Sequence, residues 1–362
     1  MNATRMKQYK IAVWMCMAIF FIIFLGGCEA SDSPVEDNVV LTRFSAQRVG
    51  YFDTLVSLIV YAESAAEFDY FQQIFFDTLG DMHRLFDIFN PYPGVRNLYY
   101  VNQNAHIAPV AVDPAIVSLL TKGVYGHEIT EGALNIAMGS VLRIWHRYRM
   151  EGRALPDMGA LVEAYGFADI NDLVIDTAAN TVFFANPHMS VDVGSIGKIY
   201  GVEYGYRALV DAGVQVAVIN AGGNIIAHNA PPGRDGWNVG IQDPTTAGAT
   251  IDVASFTNLA MATSGGYERF FQVDGERFGH IISPATLMPA EDFLQVAVLH
   301  ETPWLASILS TALFIMPLED GYRLATTYGA DAFWVDAGGG WFATEGYQAV
   351  STEFGLLMGG GE

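Results

Sequence analysis

The stretch SVDVGSIGKIYGVEYGYRALVDAGVQVAVIN, residues 190–220, reads as strand, glycine turn, helix and strand. Ser190 to Val193 (SVDV) reads as a short strand, Gly194 to Asp211 carries helical spacing, and Val214 to Asn220 is a second, apolar strand. Strand and helix in such close succession predict an α/β (α+β) fold. The first strand delivers Asp192 to its end. Gly194 and Gly197 let the backbone approach a ligand closely, and the helix that follows starts with N–H donors suited to a phosphate or diphosphate. Lys198 adds positive charge there. The motif is not a P-loop, because the glycine spacing differs and no Lys-Ser/Thr pair follows. The competing reading is an ordinary strand–turn–helix corner with a solvent lysine.

Working outward, Tyr51 to Tyr61 predicts an opening strand. Ala65 to Phe89 repeats Phe68, Phe71, Phe75, Leu79, Met82 and Phe86 at threes and fours, which predicts a long amphipathic helix. Asn90-Pro91-Tyr92-Pro93-Gly94 ends it in a turn. Helices are expected over Pro114 to Thr130, Gly132 to Trp145, Leu155 to Tyr165 and Pro303 to Phe314. Strands are expected over Ile175 to Ala185, Trp237 to Ile241, Asn258 to Thr263, Val296 to His300 and Ala332 to Val335. Arg269 to Val273 and Arg277 to Ile281 predict a hairpin about Asp274-Gly275. With no repeat and no linker after residue 40, one mixed α/β body is expected.

The N-terminus runs Arg5, Lys7, Lys10, an uncharged apolar segment Ile11 to Leu25, then Gly26-Gly27-Cys28. This is the pattern of a secretory signal, with Cys28 as the lipid-attachment residue of a bacterial lipoprotein. A retained anchor is the other reading, since the apolar run is only slightly shorter than a membrane span. The expected organisation is a signal over 1–27, a flexible tether over 28–40 and a globular domain over 41–362. The chain is then extracytoplasmic, lipid-anchored at a periplasmic face or cell surface.

Charge narrows the partners. The chain has 18 Lys+Arg against 39 Asp+Glu, and loss of residues 1–27 removes three basic residues, leaving a net charge of −24. Such a field repels nucleic acid, so no nucleic-acid partner is expected. A phosphate-bearing ligand requires local donors. The second cysteine, Cys16, lies in the signal, so thiolate metal sites and cysteine nucleophiles are excluded from the body.

Other residues capable of chemistry cluster downstream. Asn220-Ala221-Gly222-Gly223-Asn224 is a second glycine turn after an apolar strand. Thr263-Ser264-Gly265-Gly266-Tyr267-Glu268-Arg269 packs hydroxyls, glycines, a phenol and a carboxylate into one segment. His280 stands at the end of the hairpin, where an imidazole binds phosphate or passes a proton. His83, His106, His127, His146 and His188 form no metal-ligand spacing and read as structural or surface residues. Phe52 and Tyr92 sit at segment ends where an aromatic ring of a ligand stacks.

Taken in order, FDTLVSLIVY (52–61), FNPY (89–92) with Asn102, TEGALNIAMG (130–139), DVGSIGK (192–198), INAGGN (219–224), WNVGIQDP (237–244), ATSGGYERFF (262–271), HIISP (280–284) and STALF (310–314) resemble the ApbE family of FAD:protein FMN transferases. The resemblance runs from about Arg48 to Thr344. It implies a core α/β fold that binds FAD in a cleft, uses Mg²⁺, and transfers FMN to a Thr or Ser hydroxyl of an acceptor protein with release of AMP. An implied acceptor is a flavin-bearing subunit of a membrane electron-transport complex. By motif, Phe52, Tyr92, Ala133, Leu134, Asn135, Asp192, Lys198 and Ile281 fall at cofactor-contact positions, with His280 beside them. Asp192, Glu268 and His280 are the alternatives for the base. The implied metal ligands are the Ser195 carbonyl, Ser307 and Thr311.

The chain departs from the family pattern at several of these places. Ser307 stands where the family has Asp, Asn135 where it has Asp, and Ile199 where it has Gly. Ser283, Ala285 and Leu287 replace a D-P-R-T-G-like run. These departures motivate the alternative of a flavin-binding lipoprotein or FAD pyrophosphatase with weakened or lost transfer.

Overall fold

The computed structural model describes residues 40–152, 154–267 and 269–352. Cys28, the signal, nearly all of the tether and Glu268 lie outside the described residues. Among the described residues no helix is long and apolar enough to cross a membrane.

The first strands are β1 (Thr42–Tyr51) and β2 (Thr54–Ala62). The expected strand Tyr51 to Tyr61 is therefore β2 from Thr54 on, preceded by a hairpin turn at Phe52 (φ 49°) and Asp53 (φ 53°) that joins it to β1. Both residues occupy the left-handed region that such two-residue turns require, without the usual Asn or Gly. In β2, Val56, Leu58, Val60 and Ala62 alternate into the core. They meet Phe68, Phe71, Phe75 and Leu79 of helix α1 (Ala65–Phe86). Ser64 caps α1, its hydroxyl accepting the Glu67 N–H at 3.2 Å. The helix stops at Phe86 rather than Phe89, because the Asp87 carboxylate takes the N–H groups of Phe89 (2.6 Å) and Asn90 (3.0 Å).

Next come α2 (Leu98–Asn104), β3 (Val110–Ala111), α3 (Pro114–Ile129), α4 (Gly139–Glu151) and α5 (Met158–Tyr165). Two expectations shift here. Gly132 to Met138 is a turn rather than the start of α4. Thr130 Oγ1 accepts the Leu134 N–H, and Asn135 Oδ1 accepts the Ala137 N–H, so side chains replace helical bonds. Ile175 to Ala185 is two strands, β4 (Leu173–Asp176) and β5 (Thr181–Phe184), broken where Asp176 caps Ala178 and Ala179. With β3 they form a small sheet in the order β3-β5-β4.

The deciding stretch gives α6 (Gly197–Asp211), β6 (Val216–Ala221) and β7 (Asn224–His228). Ser190 to Val193 is extended but is not a strand of any sheet. Its one ladder contact is a parallel bridge from Ser190 to Met138. The Asn102 side chain takes the place of a strand partner: its Nδ2 donates to the Val191 carbonyl (2.9 Å), and its Oδ1 accepts the Val191 N–H (2.8 Å).

Then follow β8 (Trp237–Gln242), β9 (Thr250–Phe256), β10 (Ala260–Gly265), β11 (Phe271–Val273) and β12 (Glu276–Phe278). The β11–β12 hairpin is shorter than expected, but its turn is Asp274-Gly275 with positive φ at both residues. The chain closes with β13 (Phe293–His300), α7 (Pro303–Ile315), α8 (Leu318–Thr327), β14 (Asp331–Asp336), β15 (Trp341–Ala343) and α9 (Glu345–Val350).

One sheet of eight strands organises this mixed α/β body, in the order β1-β2-β6-β7-β10-β13-β14-β15, with antiparallel neighbours. Helices α1, α6 and α7 cover one face, burying two apolar clusters around Phe75 and Leu309. The β8–β9 hairpin and α9 cover part of the other face, around Phe333 and Tyr347. α6 crosses α1 closely: a Cβ at Gly205 would lie 2.7 Å from the Phe75 ring, and one at Gly201 would lie 2.6 Å from Phe52. Glycine at both positions lets the start of α6 press against the turn that carries Phe52.

Candidate flavin site

A cavity of 1050 Å³ opens where the β1–β2 turn, α4, the segment before α6, the end of β10 and α7 converge. Most of the residues singled out by sequence line it. Asp192, Ser195 and Lys198 come from one side, His280 and Ile281 from the segment after β12, and Ser307 and Thr311 from α7. Phe52, Ala133, Leu134 and Asn135 complete this set. Tyr92 is placed elsewhere. It lines an adjoining cleft of 460 Å³, shares His83 with the main cavity, and donates its hydroxyl to Asp87 at 2.9 Å.

The Asp192 segment is fixed by backbone as well as by Asn102: the Asp192 N–H donates to the Ile136 carbonyl (2.8 Å), and the carboxylate accepts the Gly194 N–H (2.8 Å). Burial pushes the Asp192 carboxyl up, against that hydrogen bond and the charges of His146, Arg149 and Arg143. Lys198 Nζ donates to the Gly222 carbonyl at 2.9 Å. Gly222 has φ 54°, and a Cβ there would fall 2.1 Å from Thr54 Oγ1, so a side chain would strain the turn that holds the lysine. His280 is held down to about 4, by burial first and then by Arg269 and Arg149, so its ring is neutral at neutral pH. Among the described residues its buried Nδ1 has no hydrogen-bond partner. His280 lines the cavity, and a neutral imidazole there can accept or position a proton.

The three implied metal ligands come together, but their chemistry is neutral. Ser307 Oγ donates directly to the Ser195 carbonyl at 2.6 Å. Behind it, Ser310 Oγ donates to the Ser307 carbonyl and Ser264 Oγ to Ser310 Oγ, each at 3.1 Å, so hydroxyls link β10, α7 and the start of α6. A carbonyl and two hydroxyls provide no negative ligand, whereas protein-bound Mg²⁺ takes one or two carboxylates. Among the described residues no three His, Cys, Asp or Glu side chains gather as metal ligands. These residues do not fit a resident divalent cation.

Sequence reasoning missed the contribution of α4. Arg143, His146 and Arg149, at intervals of three, all line the cavity, as does Arg269. His146 was expected to be structural or at the surface. Its Nδ1 accepts from Arg149 Nη2 at 3.0 Å, and Phe89 packs on its ring with centroids 4.9 Å apart. The threefold spacing marks one helix face. Only the fold shows that this face meets the cavity.

The ApbE family profile matches residues 52–334. The FAD:protein FMN transferase of Treponema pallidum is 33% identical over 251 residues, covering 65% of this chain and 69% of that protein. The transferase of Haemophilus influenzae is 30% identical over 233 residues, covering 62% and 67%. Among solved structures, the ApbE protein of Thermotoga maritima superposes with a TM-score of 0.79 at 23% identity, covering 85% of this chain and 99% of that one. The flavin transferase ApbE of Vibrio cholerae gives 0.73 at 21% identity, covering 85% and 100%. The matched span contains the whole cavity wall described above, and on these grounds the chain belongs to the ApbE family.

Proposed function

We propose that the chain is an FAD:protein FMN transferase. A Thr or Ser hydroxyl of an acceptor protein attacks the phosphorus on the FMN side of the FAD diphosphate. The new P–O bond joins FMN to the acceptor, the bridging P–O bond breaks, and AMP leaves. The observation that carries this reading is the convergence of Asp192, Lys198 and His280 on one cavity of 1050 Å³, in a chain of this family.

Each residue has a part in this reading. Lys198, anchored on Gly222, sets a positive charge beside the N-terminus of α6, where negative phosphate oxygens are favoured. Phe52 offers a ring against which an isoalloxazine packs. The acceptor hydroxyl must lose a proton, and the neutral His280 and Asp192, raised by burial, are the described cavity groups suited to take it. An incoming phosphate raises the basicity of both by adding negative charge. The magnesium dependence expected from the resemblance is not carried into this reading, because Ser195, Ser307 and Thr311 supply no charge.

The acceptor is proposed to be an extracytoplasmic protein at the same membrane, reached by a chain tethered through Cys28. The Leu25-Gly26-Gly27-Cys28 sequence supports this. The test is incubation with FAD and a Thr-containing acceptor, followed by intact-mass measurement. An acceptor heavier by one FMN, with AMP in the supernatant, is the expected result. AMP and FMN released with no change in acceptor mass would favour hydrolysis, with water as the attacking group.

A further inference from the structure

The cavity wall is electrically unlike the rest of the molecule. The chain has 18 Lys+Arg against 39 Asp+Glu. Among its described lining residues, however, four cations (Arg143, Arg149, Lys198 and Arg269) face three carboxylates (Asp53, Asp87 and Asp192). Ion pairs among the described residues engage Arg84, Arg207 and Arg323, none of which lines the cavity. Arg149 spends one N–H group on His146, and Arg269 spends one on the Asp53 carbonyl at 3.3 Å. The remaining guanidinium donors of this group have no carboxylate within ion-pair distance among the described residues.

Arg149 and Arg269 also act on each other. Burial lowers the Arg149 guanidinium and the charge of Arg269 lowers it further, against the Asp192 carboxylate, which raises it. The same two arginines, with Lys198, act on His280. Like charges gathered around a half-buried imidazole destabilise the free protein, and an anion with several oxygens relieves that repulsion. The place where a divalent cation is implied holds the neutral Ser195, Ser307 and Thr311 set.

We propose that Arg143, His146 and Arg149 on α4, together with Arg269, form an anion subsite that takes the diphosphate of FAD in place of a protein-held divalent cation. Arg143 and Arg149 supply charge and planar donors matched to phosphate oxygens. His146 accepts from Arg149 at Nδ1 and so presents Nε2–H as a further donor. The chain then holds FAD without metal. This inference rests on the reading of the cavity as an FAD site.

The test is titration of the full chain in detergent with FAD and with riboflavin, which lacks phosphate, following flavin fluorescence in EDTA and in Mg²⁺. FAD affinity of the wild type should be the same within about threefold in the two conditions, as for a site whose charge is already balanced by side chains. Arg149→Ala should weaken FAD binding in EDTA by about tenfold or more, the loss of a charge-assisted contact, and leave riboflavin binding nearly unchanged. Arg149→Lys should recover part of the loss. Arg143 is exposed, so Arg143→Ala carries the same test if Arg149→Ala does not fold. FAD binding that is lost in EDTA and restored by Mg²⁺ would overturn the inference and leave the FAD site standing. So would arginine variants that weaken riboflavin as much as FAD. Failure of both flavins to bind with or without metal overturns the FAD site itself, and the inference with it.

Discussion

Ser307→Asp turns the neutral corner of the cavity into a test of what the site is built to hold. Ser307 is 5% exposed, and its hydroxyl donates to the Ser195 carbonyl at 2.6 Å. An aspartate there loses that donor and sets a carboxylate against a carbonyl oxygen. The lost hydrogen bond and the unpaired buried charge together cost about 2–4 kcal/mol in the absence of metal. For a chain of this size that is a fall in Tm of about 3–6 °C. Mg²⁺ between the new carboxylate and the Ser195 carbonyl reverses the repulsion. At a hundredfold excess over Kd it returns about 2.7 kcal/mol. The assay is thermal unfolding of both proteins in EDTA and across a Mg²⁺ series, without flavin. The wild type should ignore Mg²⁺, and the variant should be low in EDTA and climb with the metal. A wild-type Tm that rises with Mg²⁺ as steeply as the variant's would refute the reasoning, because it would show that the serine set already binds the ion.

Gly201→Ala places a methyl 2.6 Å from the Phe52 ring; it should cost about 1–3 kcal/mol and also weaken flavin affinity, since the ring it displaces lines the cavity. An unchanged Tm and affinity would show that α6 shifts freely. Glu203 is buried with Oε2 unpartnered, and burial raises its carboxyl above the ordinary 4.5 despite Arg207. The folded state therefore binds the proton more tightly, so this group favours folding below its unfolded pKa, and that contribution is lost as pH rises to the folded pKa. Glu203→Gln should match the wild type at low pH and be at least as stable above that window. A variant less stable at pH 8 by more than about 1 kcal/mol would mean that the exposed Arg207 partner outweighs burial. Asp252, fully buried, accepts from Tyr347 (2.9 Å) and Ser351 (2.7 Å). Asp252→Ala should cost about 3 kcal/mol or more and speed hydrogen exchange in α9, whereas unaltered exchange there would show that apolar packing alone holds that helix.

The elements legible in the sequence were those whose pattern is set locally. α1 announces itself by phenylalanines at helical spacing, and the β11–β12 turn by Asp274-Gly275. β1 and β9 were not anticipated: β1 is an edge strand with mostly exposed side chains and carries no apolar run to read. The turn at Phe52-Asp53 escaped because neither turn residue is the usual Asn or Gly. Gly132 to Met138 has apolar residues at intervals that suit a helix, but Thr130 and Asn135 bind the backbone with their side chains and keep it a turn.

The site divides in the same way. Asp192, Lys198 and the glycines near them were legible because close backbone approach restricts which residues fit. The cations of α4 were not, because sequence spacing gives a helix face but not what that face meets. Their placement also changes how the Asp192 motif works. Ser190 to Val193 belongs to no sheet, so the orientation of Asp192 depends on the Asn102 amide and on the backbone of Ile136 just before α4. The turn that leads into the cationic helix is thus the one that positions the acid. A displacement of α4 on ligand binding would be felt at Asp192 through the 2.8 Å bond from its N–H to the Ile136 carbonyl. If α4 binds the anion as proposed, its charge and the Asp192 carboxylate are held from the same turn. The hydroxyls of Ser264, Ser307 and Ser310 tie β10 and α7 to the segment before α6.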